Sequence, residues 1–271
     1  MRILLVSVVH AALLLAVAPP VFAQGTPAPG YERNMPPPGP YEAKLDALAA
    51  AHDYSALGKA VVTDIKDMET ASRALNWLRA QQFAKGGSSY IAYLYAALLW
   101  RTSQSIPEPG RSGLAQNAGI QLTQARWLIQ SEGFQCLDTT APQAAWLSVE
   151  SGLLPLVQYV AKLPEADKKK INEIALEALL VTFPARRNDV WLCRSGMAQY
   201  GKYFEKHPEV GNKRVDEFKG RTIVLDDPSI MPDFVPYADW KAKRRVAIDK
   251  ITDGLGVARV TNYRDTVSRL K

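Results

Sequence analysis

Glu150 is the carboxylate in this sequence whose setting invites chemistry. It lies in Val149-Glu150-Ser151-Gly152-Leu153-Leu154-Pro155. A glutamic acid in an apolar helical pocket has its neutral form favoured, as a general acid requires. Histidine chemistry has few places to go: outside the amino-terminal apolar run only His52 and His207 remain. His52 follows an alanine run and reads as a turn, while His207 precedes Pro208 and reads as a surface residue at a helix end. Any Ser-His-Asp or Cys-His arrangement would have to use one of them. A His-Glu-x-x-His zinc helix is excluded, and no nucleophile-elbow, phosphate-loop or dinucleotide glycine pattern occurs. The expectation is therefore no metal and no cofactor.

Cys136 and Cys193 are the only cysteines. An even pair in an oxidising compartment predicts a disulfide. It would close a loop of about 58 residues, a stabilisation on the order of 4 kcal/mol in the chain-entropy picture. With no histidine nearby, the pair makes a poor metal-ligand set.

The compartment is read from the amino terminus. Met1-Arg2 begins a run that is apolar from Ile3 to Ala18 apart from Ser7 and His10, Pro19-Pro20 stops it, and Val21-Phe22-Ala23 offers a small-residue cleavage site. Residues 1–23 thus predict a signal peptide cleaved after Ala23 and a periplasmic or secreted product. The run is shorter than the ~20 apolar residues of a bilayer span, so no membrane span is expected after cleavage.

Charge is uneven. The whole chain carries a formal +6, yet residues 24–236 hold 23 basic and 23 acidic side chains. The excess sits in the carboxy-terminal segment, where Trp240, Lys241, Lys243, Arg244 and Arg245 are the candidate interaction residues. A protein or an anionic envelope component is the partner they imply. Nucleic acid is not expected, because export removes it and no coherent basic surface forms: Arg244 falls within the apolar stripe of Trp240, Ala247, Ile251 and Leu255, and Lys243 lies on its other flank.

The elements that must position these residues are helices. Residues 24–40 form a proline-rich leader too poor in core-forming residues to pack. Helical periodicity fills residues 41–219. Asp67 and Ser88-Ser89 serve as helix starts, Gly86-Gly87 as a stop, and Tyr90–Trp100 is apolar nearly all round. Further helices are expected over Leu114–Glu132, over Pro142–Leu163 with a kink at Pro155, over Glu165–Phe183 and over Pro184–Lys206. Residues 220–236 read as an extended wrapping segment with a short strand at Thr222–Leu225, and residues 237–271 as a basic helix and tail. The fold class is all-α.

Trp-Leu recurs at Trp77-Leu78, Trp127-Leu128, Trp146-Leu147 and Trp191-Leu192. The stretch Ala74–Trp100 resembles one unit of the Sel1-like and tetratricopeptide helical repeats, with a Trp-Leu first helix, a glycine turn, and a second helix packing through Ala92 and Ala96. That resemblance implies a short irregular helical-repeat stack. Glu150-Ser151 is similar to the Glu-Ser motif of lytic transglycosylases, in which the glutamic acid protonates a glycosidic oxygen. The glycine-rich continuation of that family is replaced here by Leu156-Val157-Gln158-Tyr159. The functional expectation is an exported helical binding protein of the cell envelope. A peptidoglycan-acting glycosidase using Glu150 is the alternative, and a tyrosine-lined ligand groove at Tyr90, Tyr93 and Tyr95 is a third reading.

Overall fold

Two helices that bury most of their residues form the centre of the molecule. The computed structural model describes residues 39–186, 188–211 and 227–255, and every helix below lies among them. The signal segment 1–23, nearly all of the leader, the strand expected at Thr222–Leu225 and the tail beyond Leu255 fall outside the described residues. The central pair is α4 (Ser89–Ser103) and α5 (Gly110–Glu132), preceded by α1 (Pro40–Ala50), α2 (Tyr54–Gly58) and α3 (Met68–Phe83). After them come α6 (Ala141–Gly152), α7 (Leu154–Lys162), α8 (Glu165–Thr182), α9 (Val190–Arg194), α10 (Met197–Lys206), α11 (Pro208–Gly211) and α12 (Tyr237–Gly254). The chain is all-α, with no strand in the described residues beyond one isolated bridge.

α5 packs against α4, α6, α7, α8 and α12. Small residues permit this crowding. Ala96 and Ala118 share one core cluster, Ala92 and Ala125 another. At Gly119 a Cβ would come within 3.0 Å of Val160 on α7 and 3.3 Å of Ile171 on α8, so the absent side chain sets how closely those helices approach. Asp67 caps α3 by accepting from the Thr70 amide at 2.7 Å, and Ser88 caps α4 through the Ile91 amide. Tyr90, Tyr93 and Tyr95, whose alternation round the helix also reads as shared core, pack into or against the core clusters. Tyr90 and Tyr93 stack on each other and on Trp191, with centroids 5.1 Å apart for Tyr90–Trp191 and 6.4 Å for Tyr93–Trp191.

Two helix expectations need correction. The helix expected over Pro142–Leu163 is broken, not kinked: α6 ends at Gly152 and α7 restarts at Leu154, with Pro155 in its first turn where the missing amide costs nothing. α6 buries Ala141, Ala145 and Val149, spaced four residues apart, and leaves Leu147 59% exposed; Leu154, which opens α7, is 52% exposed. The helix expected over Pro184–Lys206 is a 3₁₀ turn at Phe183–Ala185, a non-helical link, then α9 and α10.

α1 is held on α3 by polar contacts at helical spacing. Arg73 donates to both oxygens of Glu42, at 2.8 and 2.5 Å. One and two turns on, Asp46 accepts from Trp77 Nε1 at 3.1 Å and Gln81 Nε2 at 2.8 Å. The expected disulfide is present: Cys136 and Cys193 are bonded with Cα atoms 4.9 Å apart. Beside it the extended segment crosses the body, Phe234 bridging antiparallel to Cys136 while the Val235 amide donates to the Gln135 carbonyl at 2.8 Å.

Two stability measurements follow. Cys136→Ser with Cys193→Ser should lower the free energy of unfolding by about 4 kcal/mol in urea; an unchanged midpoint would contradict a stapling role. Glu42 is held down to about 2 from an ordinary 4.5, chiefly by the Arg73 hydrogen bond, against the opposing effect of burial. Its stabilisation is therefore full above pH 4.5 and lost as pH falls towards 2. Glu42→Gln should flatten that part of the acid-unfolding profile and cost roughly 0.5–1 kcal/mol at neutral pH, since the pair is partly solvated.

Candidate functional site

Five chain segments converge on one cavity of about 270 Å³. The end of α1 contributes Ala49 and, just beyond it, His52; the end of α3 contributes Gln81 and the following Lys85. The Gly86-Gly87-Ser88 turn forms another wall, the last residue of α5 brings Glu132, and the link between α8 and α9 brings Arg186, Asn188 and Asp189. Tyr54, Leu57, Ile91 and Val190 complete the lining. The walls are helix ends, where backbone groups and capping side chains concentrate polarity.

Each segment has a local reason for its place. His52 sits at φ 55°, at the position after α1 where glycine usually closes a helix, and the Asp53 amide donates to the Leu48 carbonyl at 3.1 Å. Arg194 fixes that turn by donating to the His52 carbonyl at 2.8 Å, and also donates to the Asp227 carbonyl of the extended segment at 2.9 Å. Gly86 adopts φ 68°, and a Cβ there would collide with the Ala185 backbone, so only glycine closes the α3–α4 turn against the α8–α9 link.

Asp189 ties the link to the central helices. Its Oδ2 accepts from both the amide and the hydroxyl of Ser89 at 2.7 Å, and its Oδ1 caps α9 through the Leu192 amide at 3.1 Å. Its own amide donates to Gln135 Oε1 at 2.7 Å, next to the disulfide. Burial pushes the Asp189 carboxyl up, and the Ser89 hydrogen bonds pull it back.

Glu132 is the deepest charge, its side chain 3% exposed. Its Oε1 accepts from Arg244 Nη2 of α12 at 2.5 Å and lies 4.0 Å from Arg186 Nε. Arg244 is equally buried, its guanidinium carbon over Phe183 at 3.6 Å from the ring centre and 5.4 Å from that of Trp240. Glu132, Asp189, Arg186 and Arg244 form a buried group of two acids and two bases. Burial pushes the Glu132 carboxyl up while Arg244 and Arg186 oppose it, and burial brings Arg186 down to about 10. Glu132 Oε2 has no hydrogen-bond partner, and the residue lines the cavity.

The neighbouring histidine and serine side chains each have a partner in the structure. The His52 Nδ1 partner is the Tyr54 hydroxyl at 3.2 Å, and burial followed by the Arg194 charge lowers the imidazole below its usual range. Burial pushes the Tyr54 phenol up. The Ser88 hydroxyl caps the Ile91 amide and the Ser89 hydroxyl donates to Asp189, so both are engaged away from His52.

The residues singled out in the sequence lie elsewhere or in other roles. Glu150 accepts a two-point contact from Arg126, at 2.5 Å from Nε and 2.9 Å from Nη2, which engages both carboxylate oxygens. His207 lies between Asp227 and Glu209, at 2.9 and 3.3 Å. Of the five carboxy-terminal candidates, Trp240 and Arg244 are each 3% exposed and face inward. That corrects their reading as surface contacts: the stripe that seats α12 on α5 includes them. Lys241, Lys243 and Arg245 are exposed, but Lys241 and Arg245 lie on one flank of α12 and Lys243 on the other. Glu132, Arg186 and Asp189 were not anticipated. Asp189 did carry a signal, a capping residue directly before the apolar Val190-Trp191-Leu192.

The chain matches no protein-family model, no curated protein sequence and no solved structure.

Arg244→Met should destabilise the protein by about 3–5 kcal/mol, because it leaves the Glu132 carboxylate buried without its main partner. Arg244→Lys should recover only part of that, since an ammonium restores charge but not the guanidinium's contact with the Phe183 ring. Urea unfolding of both variants checks the order.

Proposed function

We propose that this chain is an exported, non-catalytic binding protein that holds a small polar ligand in the cavity between the end of α1, the Gly86–Ser88 turn and the Asn188-Asp189 link. One observation carries the reading. Polar side chains from separate parts of the chain, Gln81, Lys85, Ser88, Asn188 and Asp189 among them, converge on one cavity beside the buried Glu132. A cavity of about 270 Å³ is at the small end of ligand pockets, and its lining mixes donors, acceptors and an aromatic edge.

Export rests on the residue pattern of 1–23, and the Cys136–Cys193 disulfide agrees with an oxidising compartment. Among the described residues no helix is long and apolar enough to cross a membrane. Docking to an anionic surface through Lys241, Lys243 and Arg245 has weaker support, because Asp239, Val246 and Asp253 lie between the two basic flanks. The glycosidase reading has less, because Arg126 engages both oxygens of Glu150.

The test is native mass spectrometry of the mature protein after incubation with the low-molecular-weight fraction of an envelope extract. A bound mass released on denaturation is expected for the wild type. It should be lost in Asn188→Trp, which fills the cavity from an exposed position and leaves the buried charges intact. No bound mass, or equal retention by both proteins, would overturn the reading.

A further inference from the structure

The extended segment is fastened to α10 by charged side chains. Lys202 donates to the Met231 carbonyl at 3.2 Å and to Asp233 Oδ2 at 2.7 Å. Lys206 pairs with Asp227 Oδ2 at 2.8 Å and donates to the Ser229 hydroxyl. Hydrogen bonds from Lys206, Ser229 and His207 hold the Asp227 carboxyl well below the usual carboxylate range, so it stays ionised in mild acid.

His207, directly after α10, makes contacts that depend on its protonation. Its Nε2 lies 2.9 Å from Asp227 Oδ2 on the segment, and its Nδ1 lies 3.3 Å from Glu209 Oε1 on α11. A neutral imidazole carries one N–H and can donate to only one of these carboxylates, whereas the imidazolium donates to both. Charge on the ring also strengthens the bond to Asp227. The Tyr203 ring, its centre 4.5 Å from that of the imidazole, favours a cation as well. Among the described residues two cations oppose that charge. Lys206 acts from the same Asp227 oxygen, and Arg194 acts from the Asp227 carbonyl, to which it donates at 2.9 Å. The carboxylates, in hydrogen-bond contact with the ring nitrogens, outweigh them.

We propose that His207 is a pH-dependent latch on the extended segment: protonated, it grips Asp227 and Glu209 together, and on losing its proton it drops one and holds the other less firmly. Because the charged form is the one that binds, the latch is closed below the pH at which the imidazole titrates and opens as pH rises through it. Arg194 shares this segment with the cavity rim, donating to the His52 carbonyl at 2.8 Å as well as to Asp227. The latch stands on the His207 contacts alone and does not require the cavity to hold a ligand.

The experiment is amide hydrogen exchange of the mature chain, read by NMR as protection factors so that the intrinsic pH dependence of exchange cancels. It compares about pH 5.5 with about pH 8, either side of the range in which imidazoles titrate. The reporters are the Ile230 amide, which donates to the Asp227 carbonyl, and the Leu137 and Val235 amides, which join the segment to the body. The Leu122 amide of α5 gives the response of the body itself. Relative to Leu122, protection of the three reporters should fall roughly twofold to fivefold from the lower pH to the higher. His207→Gln should remove the difference, and His207→Arg, charged throughout, should keep protection high at both pH values. The side chain is 30% exposed at a helix end, so both variants should fold. His52→Asn, which suits the left-handed backbone there, should leave the difference in place. The proposal is overturned by equal wild-type protection at the two pH values, by a difference that survives in His207→Gln, by His207→Arg behaving as His207→Gln does, or by loss of the difference in His52→Asn.

Discussion

The pairing of Glu132 with Arg244 is the constraint on which the rest of the molecule depends. A carboxylate at the end of the central helix and a guanidinium on the last described helix are both withdrawn from water, 2.5 Å apart and 112 residues apart in sequence. Neither could be buried alone, because an isolated charge in such surroundings costs several kcal/mol even after relaxation. The pair therefore fixes where α12 lies, and with it the apolar stripe of Trp240, Ala247, Ile248 and Ile251. Phe183 supplies the other surface of the guanidinium and anchors the end of α8 to the same point. Arg186 follows three residues later, so the α8–α9 link enters the cavity at a place set by this contact.

Much of the fold could be read from the sequence because its signals are local. The caps at Asp67 and Ser88, the all-round apolar run of α4, the proline at the start of α7 and the cysteine pair each act through neighbours in sequence or through simple chemistry. The site was much less legible. Arg244 in an apolar stripe looks like an exception to periodicity, and its meaning depends on Glu132, which periodicity places at an unremarkable helix end. The break between α8 and α10 was missed because the residues from Pro184 to Lys206 have enough helical propensity to suggest continuity. Asp189 overrides that propensity by taking three donors from two segments. Glu150 is the converse case: its motif is local, while its partner Arg126 is on another helix, beyond the reach of a motif.

The position of the disulfide follows the same logic. Cys136 comes one residue after Gln135, which holds the Asp189 amide, and Cys193 lies in the helix that Asp189 caps. The covalent link thus joins the two segments whose polar contacts close the cavity on one side. The extended segment lies over this junction, and Arg194, adjacent to Cys193, ties it to the turn at His52 on the opposite wall.

The spacing of these contacts along the chain also sets an order of assembly. Ser89 finds Asp189 across 100 residues and Glu132 finds Arg244 across 112. A chain synthesised amino end first presents α1 to α5 well before the partners of Ser89 and Glu132 emerge. Until α12 arrives, the Glu132 carboxylate at the end of α5 lacks its main partner. The last described helix to emerge completes a site whose first walls were made at the start.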